Sequence, residues 1–229
     1  MNQVFQKDWP RLIVLALVVA GCRPAAAQKL APLDIKLPAP AFIGTPTDKQ
    51  PDPNVEPMSK TPRPPFLAPE GVSNVALGKK VTSSATNVTA EALAKITDGQ
   101  VEPTENNVVL LRKGPQWVQI DLGASQEIFA ILFWHACDKP RVYHGVVVEV
   151  ADGPDFGAGD NVRKLFNNDT ANADGLGAGT AREYFETNEG KLIDAKGEKA
   201  RYVRLYSNGS SEAKYNEYTE VEVFGRPAK

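Results

Sequence analysis

From residue 71 onward, polar and apolar side chains alternate in short runs, as in Trp117-Val118-Gln119-Ile120-Asp121-Leu122, Arg201-Tyr202-Val203-Arg204-Leu205-Tyr206 and Glu220-Val221-Glu222-Val223-Phe224. A period of two sends successive side chains to opposite faces of an extended chain, so each run is a strand with one wet face. The same reading, extended to β-branched and apolar runs, predicts strands over Ala76–Ser83, Val108–Leu111, Trp117–Leu122, Ile128–His135, Val146–Ala151, Ala181–Phe185, Tyr202–Tyr206 and Glu220–Phe224. Short strands divided by turn residues, with almost no helical periodicity and no internal repeat, predict an all-β fold, an antiparallel sandwich.

The N-terminus has a different pattern. Lys7 and Arg11 precede the apolar run Leu12 to Val19, which meets Ala20, Gly21 and Cys22. A helical membrane span needs roughly 20 apolar residues, whereas a signal-peptide core needs about 7 to 15, so the run is an address rather than a span. Val19-Ala20-Gly21-Cys22 resembles the lipobox of bacterial lipoproteins, in which the cysteine is acylated and becomes the mature N-terminus. That resemblance implies a signal peptide over 1–22, lipidation at Cys22 and attachment to a bacterial envelope membrane. Arg23, in place of an aspartate, resembles lipoproteins sorted to an outer membrane or cell surface. Cleavage after Ala25-Ala26-Ala27 is the alternative and would give a periplasmic or secreted protein.

Between 23 and 70, proline recurs every few residues, as in Pro38-Ala39-Pro40, Pro51-Asp52-Pro53 and Pro62-Arg63-Pro64-Pro65. Proline removes backbone donors and fixes φ, so the stretch is read as a disordered, semi-rigid tether with a reach on the order of 100 Å. The remaining residues, 71–229, suffice for one self-supporting core.

Composition narrows the chemistry. A formal net charge of -2 leaves no basic footprint for nucleic acid. Two histidines and two cysteines in 229 residues supply little for a zinc site. If Cys22 carries lipid, Cys137 has no partner for an intramolecular disulfide, and its place in an apolar run marks it as a small buried hydrophobe. No nucleophile elbow or metal-hydrolase histidine pair is present, which argues against an enzyme.

Six segments, in order, resemble the discoidin or coagulation-factor type C domain of the galactose-binding-like superfamily: Asn74 to Ser84, Ile96-Thr97-Asp98-Gly99, Trp117 to Gly123, Val147 to Gly153, Lys199 to Leu205 and Glu220 to Gly225. The resemblance spans 71–227 and implies a β-sandwich jelly roll that binds sugars, lipid headgroups or proteins through loops at one end. It also implies a structural calcium held by Asp98 and Glu220, by carbonyls around Lys95 to Val101 and by Thr104, although the tryptophan usual after this loop is replaced by Asn106-Asn107-Val108-Val109. A set of hard oxygens of this kind suits calcium, which takes about six to eight. Without the metal, Asp98 is an Asp-Gly turn residue and Glu220 a solvent-facing strand residue.

For a ligand, the richest segment runs from Trp134 to His144. Trp134, His135, Asp138, Arg141 and Tyr143 combine aromatic faces for a pyranose ring with planar polar groups for its hydroxyls. The alternative there is a core tryptophan above a surface Arg141–Asp138 pair, which would contribute little. The oxygen- and glycine-rich segment 167–179 is either a rim or second cation site, or a plain connection. These readings together predict a non-catalytic, envelope-anchored module binding carbohydrate or another envelope component. The alternatives are a protein-binding or structural role, and an accessory role in a polysaccharide-degrading system.

Overall fold

The computed structural model describes residues 28–42, 52–59 and 61–228; the signal segment and Cys22 lie outside the described residues. In chain order the elements are β1 (Leu30–Pro32), β2 (Leu67–Pro69), β3 (Ser73–Asn74), β4 (Lys80–Ser83), α1 (Ala90–Leu93) with a 3-10 turn (Ala94–Thr97), β5 (Val109–Lys113), β6 (Gln116–Trp134), β7 (Val147–Ala151), β8 (Arg163–Asn167), β9 (Lys191–Ser207), β10 (Tyr215–Tyr218) and β11 (Glu220–Pro227). The all-β antiparallel expectation holds. Among the described residues no helix is long and apolar enough to cross a membrane.

One seven-stranded sheet runs β3-β11-β6-β9-β7-β8, with β4 also paired to β6. It folds on itself because β6 and β9 pass through both halves. The first half of β6 pairs with the second half of β9, from Gln116↔Ser207 to Asp121↔Tyr202, and its second half pairs with the first half of β9 and with β11. Between these regions the register slips, near Gly123 (φ 86°) on one strand and Lys196 (φ 53°) and Gly197 (φ 80°) on the other. Extra residues of this kind bend and twist a ladder without ending it. Trp117–Leu122 and Ile128–His135 are therefore halves of one strand rather than two strands.

Val118, Ile120, Val148, Val150, Val203 and Leu205 from the front half meet Ile131, Phe133, Ile193, Val221 and Val223 from the back half in one buried core. A second apolar cluster lies on the other side of the back half, where Ala130, Leu132, Trp134 and Phe224 point outward and are covered by Leu33, Ile35, Phe66 and Val72.

This cover corrects the tether reading for the described parts of 23–70. β1 pairs with β2 in three residue pairs, and the Leu33 N–H donates to the Phe66 carbonyl at 2.9 Å. The Arg63 guanidinium donates to the carbonyls of Glu189 (2.7 Å) and Gly190 (3.1 Å), and Asn188 Nδ2 donates to the Pro38 carbonyl at 3.2 Å. Gly190 (φ 62°) permits the close approach, since a Cβ there would lie 2.7 Å from the Phe133 carbonyl oxygen and 2.8 Å from the Trp134 ring. Proline prevents this segment from forming long ladders but not from lying extended across an apolar sheet face. It forms an arm that makes a third layer.

Other differences are local. Ala181–Phe185 contributes only the isolated bridges Val55↔Glu183 and Val142↔Phe185. Ala76–Ser83 is interrupted at Leu77-Gly78, where Gly78 turns with φ 67°, leaving β3 and β4 on either side.

Candidate functional site

The end of β6 and the loop that follows it carry the predicted ligand residues, and the structure sorts them by depth. Trp134, His135 and Tyr143 are fully buried and Arg141 is 5% exposed. The expected stacking face of Trp134 is thereby corrected, because its ring belongs to the core under the arm and Nε1 donates to the Asn188 carbonyl at 2.9 Å. His135 is likewise interior. Its Nδ1 lies 2.9 Å from Glu186 Oε2 with both side chains buried, and its ring stacks on Tyr143 at 4.1 Å between centroids.

Asp138, Arg141 and Tyr143 are brought together, joined by a residue the sequence did not suggest, Glu217. Arg141 Nη1 donates to Glu217 Oε2 and Nη2 to Asp138 Oδ1, both at 2.5 Å, and the Tyr143 hydroxyl donates to Glu217 Oε2 at 2.9 Å. The Arg141–Asp138 pair is thus present, but it joins a buried guanidinium to a carboxylate with 45% of its side chain exposed. The second carboxylate oxygens of Asp138 and Glu217 take no part in these bonds. Burial drives the Tyr143 phenol far above its ordinary pKa, with the Glu217 charge adding to it, so the hydroxyl is held as a donor.

Glu217 sits on β10, which pairs with β5 through Glu217↔Leu110 and Tyr215↔Lys113. Asn216 and Tyr218 are buried and Tyr215 is exposed, while the side chain of Glu217 is only 16% exposed. Asn216 fixes the ribbon through Nδ2, which donates to the carbonyls of Arg112 (2.7 Å) and Gly114 (2.8 Å). Tyr215 (41%) and Leu110 (48%) are exposed, and the Lys113 ammonium lies 4.9 Å from the Tyr215 ring centroid. The exposed ring of Tyr215 and the Arg141-held Glu217 thus lie two residues apart on β10, across a shift in its register with β5. Tyr215-Asn216-Glu217-Tyr218 has no alternation of polar and apolar residues, so no local signal marks this strand.

Of the calcium residues, Asp98 and Glu220 come close and Thr104 does not join them. Asp98 closes the 3-10 turn, and the next residue, Gly99, donates its N–H to Glu220 Oε1 at 3.1 Å. Glu220 is fully buried, contrary to the solvent-facing alternative, and its Oε2 has no hydrogen-bond partner. Burial, with the nearby Asp98 charge, pushes its carboxyl pKa up to about 9. Thr104 serves its own loop, its carbonyl accepting from the N–H groups of Asn107 (2.9 Å) and Val108 (3.0 Å). Among the described residues, no three His, Cys, Asp or Glu side chains form a metal-binding group.

In the 167–179 loop the oxygen-rich side chains act internally. Asp169 accepts the N–H groups of Ala173 and Asp174 at 2.9 Å each, and Asn168 Oδ1 accepts from the Val146 N–H at 2.6 Å. Cys137 is buried and its thiol pKa is pushed up to about 12, chiefly by burial, as expected of an inert packing residue. A separate cleft of about 490 Å³ opens between the arm and the 184–191 segment, lined by Phe42, Met58, Phe185 and Lys191 among others.

No family model matches the chain, and no curated protein does. Solved structures do. A CBM32 module from Clostridium perfringens, in complex with GlcNAc-α-1,4-galactose, is similar over 69% of this chain and 96% of its own, with 15% identity and a TM-score of 0.50. A variant of chitosan-binding module 1 from the chitosanase/glucanase of Paenibacillus sp. IK-5 is similar over 66% of this chain and 98% of its own, with 23% identity and a TM-score of 0.45. The chain therefore shares the β-sandwich fold of the Clostridium module.

Proposed function

We propose that the protein is a non-catalytic carbohydrate-binding module, and that the outward face of β5 and β10 with Asp138 and Arg141 is its sugar site. The observation that carries this reading is the pair of carboxylates, Asp138 and Glu217, held by the buried Arg141 guanidinium, with the exposed Tyr215 two residues before Glu217 on the same strand. A pyranose stacks its C–H face on an aromatic ring and offers hydroxyl donors to charged acceptors, and Tyr215, Glu217 and Asp138 provide both. The fold shared with a module described in complex with a disaccharide supports the reading.

Calcium fits at the Asp98 turn as a structural ion. The orphaned Oε2 of Glu220 is a buried carboxyl oxygen that lacks a partner, and a hard cation that displaced its proton would satisfy it. Asp98 and Glu220 would hold the ion, with carbonyls of the same loop completing the shell, and its contribution would be to fix that loop. Attachment to a bacterial envelope through a lipid on Cys22 completes the proposal.

The test is isothermal titration of the full chain against oligosaccharides chosen from a glycan array, with and without calcium. Loss of binding in Tyr215→Ala and Asp138→Asn, with the thermal midpoint unchanged, supports the site. Undiminished binding in both variants refutes it.

A further inference from the structure

We propose that the β1–β2 ribbon rests on the lipid bilayer and turns the Arg141–Glu217 surface away from it. The proposal depends on the reading of Cys22 as the lipid-bearing residue.

Chain length sets the geometry. The six residue steps from Cys22 to Gln28, where the described arm begins, can span at most about 20 Å. A lipid at Cys22 therefore holds the domain against the membrane, where a free tether through residue 70 would have let it range far outward. The arm begins at one end of the back half of the sheet: the Gln28 amide lies 3.0 Å or less from the Arg226 guanidinium, and β2 leads into β3, which pairs with Gly225.

What faces outward there is apolar. Leu30 and Leu67 are 54% and 55% exposed, and the register Leu30↔Pro69 and Pro32↔Leu67 sets them on one side of the ribbon. Lys29, whose side chain is 79% exposed, adjoins them and pairs with Glu70 at 2.5 Å. Two exposed leucines beside a lysine suit the boundary between headgroups and acyl chains, where apolar side chains enter and ammonium groups meet lipid phosphates. The opposite orientation fails on distance. β11 runs from Pro227, beside the entry of the arm, to Glu220, beside the Asp98 loop, and its eight residues cover roughly 27 Å. The sugar surface lies beyond that second end, so the lipid and the ligand occupy opposite ends of the domain.

The experiment uses the acylated full chain in vesicles of phosphatidylethanolamine and phosphatidylglycerol containing a brominated lipid. An environment-sensitive fluorophore is placed at Leu67→Cys or, as a control on the far loop, at Ala171→Cys; native Cys137 is buried. Insertion of about 5 to 10 Å predicts that position 67 loses roughly half its emission while position 171 keeps its own. Equal quenching at the two positions in acylated protein overturns the orientation alone. Mass spectrometry of the N-terminal peptide without an acyl group would show that the lipoprotein reading, and the proposal with it, has failed. Concentration-dependent shielding of position 67 in lipid-free detergent would assign the face to a second copy and also overturn the proposal.

Discussion

Arg141 is the residue on which the candidate surface turns, since one guanidinium holds Asp138 and Glu217 in place from beneath. Removing one partner of a buried ion pair strands the other, so Arg141→Ala should destabilise the fold by about 3 kcal/mol in urea titrations. Tyr215→Ala, on an exposed ring, should leave stability within about 0.5 kcal/mol and weaken sugar binding about tenfold or more. The contrast separates scaffold from contact. Glu220 makes a different prediction, because burial raises its folded pKa to about 9 from an ordinary 4.5. The folded state then holds a proton that the unfolded chain releases, so metal-free stability falls as pH rises from about 4.5 to about 9. Calcium binding requires the carboxylate and should oppose that fall. Thermal midpoints measured across this range in chelator and in calcium check both statements, and Glu220→Gln should abolish the difference. That Asp138, Arg141 and Tyr143 stand close together was legible in the sequence, because charge and aromaticity cluster there, but the full burial of Tyr143 was not. Glu217 was not, since it arrives from 76 residues away through β10 pairing, and the partner that makes His135 a core residue, Glu186, lies 51 residues on.

At the level of elements the arm is the part that local sequence conceals. Its prolines describe a chain unable to form long ladders, which is correct, yet they say nothing of a waiting apolar surface. The trace of that surface was in β6, where Ala130, Leu132 and Trp134 are apolar on the side that should have been wet. A strand buried on both faces implies a further layer. Removing the arm should therefore expose Trp134 and its neighbours. A chain of residues 71–229 should be less stable than one of residues 28–229 by about 3 kcal/mol or more and should bind hydrophobic dyes. Arg63→Ala should produce a milder loss of about 1 to 2 kcal/mol, with faster proteolysis in the arm than in the sandwich. Turn chemistry explains the smaller misreadings. Gly123 looked like a strand end but sits in a bulge that the ladder crosses, and β8, with Arg163 and Lys164, reads as loop because edge strands carry charge.

For the whole molecule, β6 and β9 belong to both halves of the sheet, so neither half can unfold while leaving the other intact. Amides of Val118 to Ile120 and of Ile131 to Phe133 should share one opening free energy in hydrogen exchange, and Cys137 should react with thiol reagents only at the rate of that global event. Fold class was legible because alternation reports on each strand wherever it lies. Layer number was not, because it depends on which faces meet. The arm also determines how the protein responds to tension. A polymer gripped at one end and a lipid at the other would pull first on Gln28, at the start of the β1–β2 ribbon. The ribbon pairs would open first, then the Arg63 and Asn188 bonds and the apolar cover of Trp134, and the fully peeled span of residues 28 to 70 would release roughly 140 Å of slack ahead of the sandwich. The docked arm would then act as a spring-loaded leash, short at rest and long under strain, and a force-extension trace should show a weak early step of that length ahead of the main rupture.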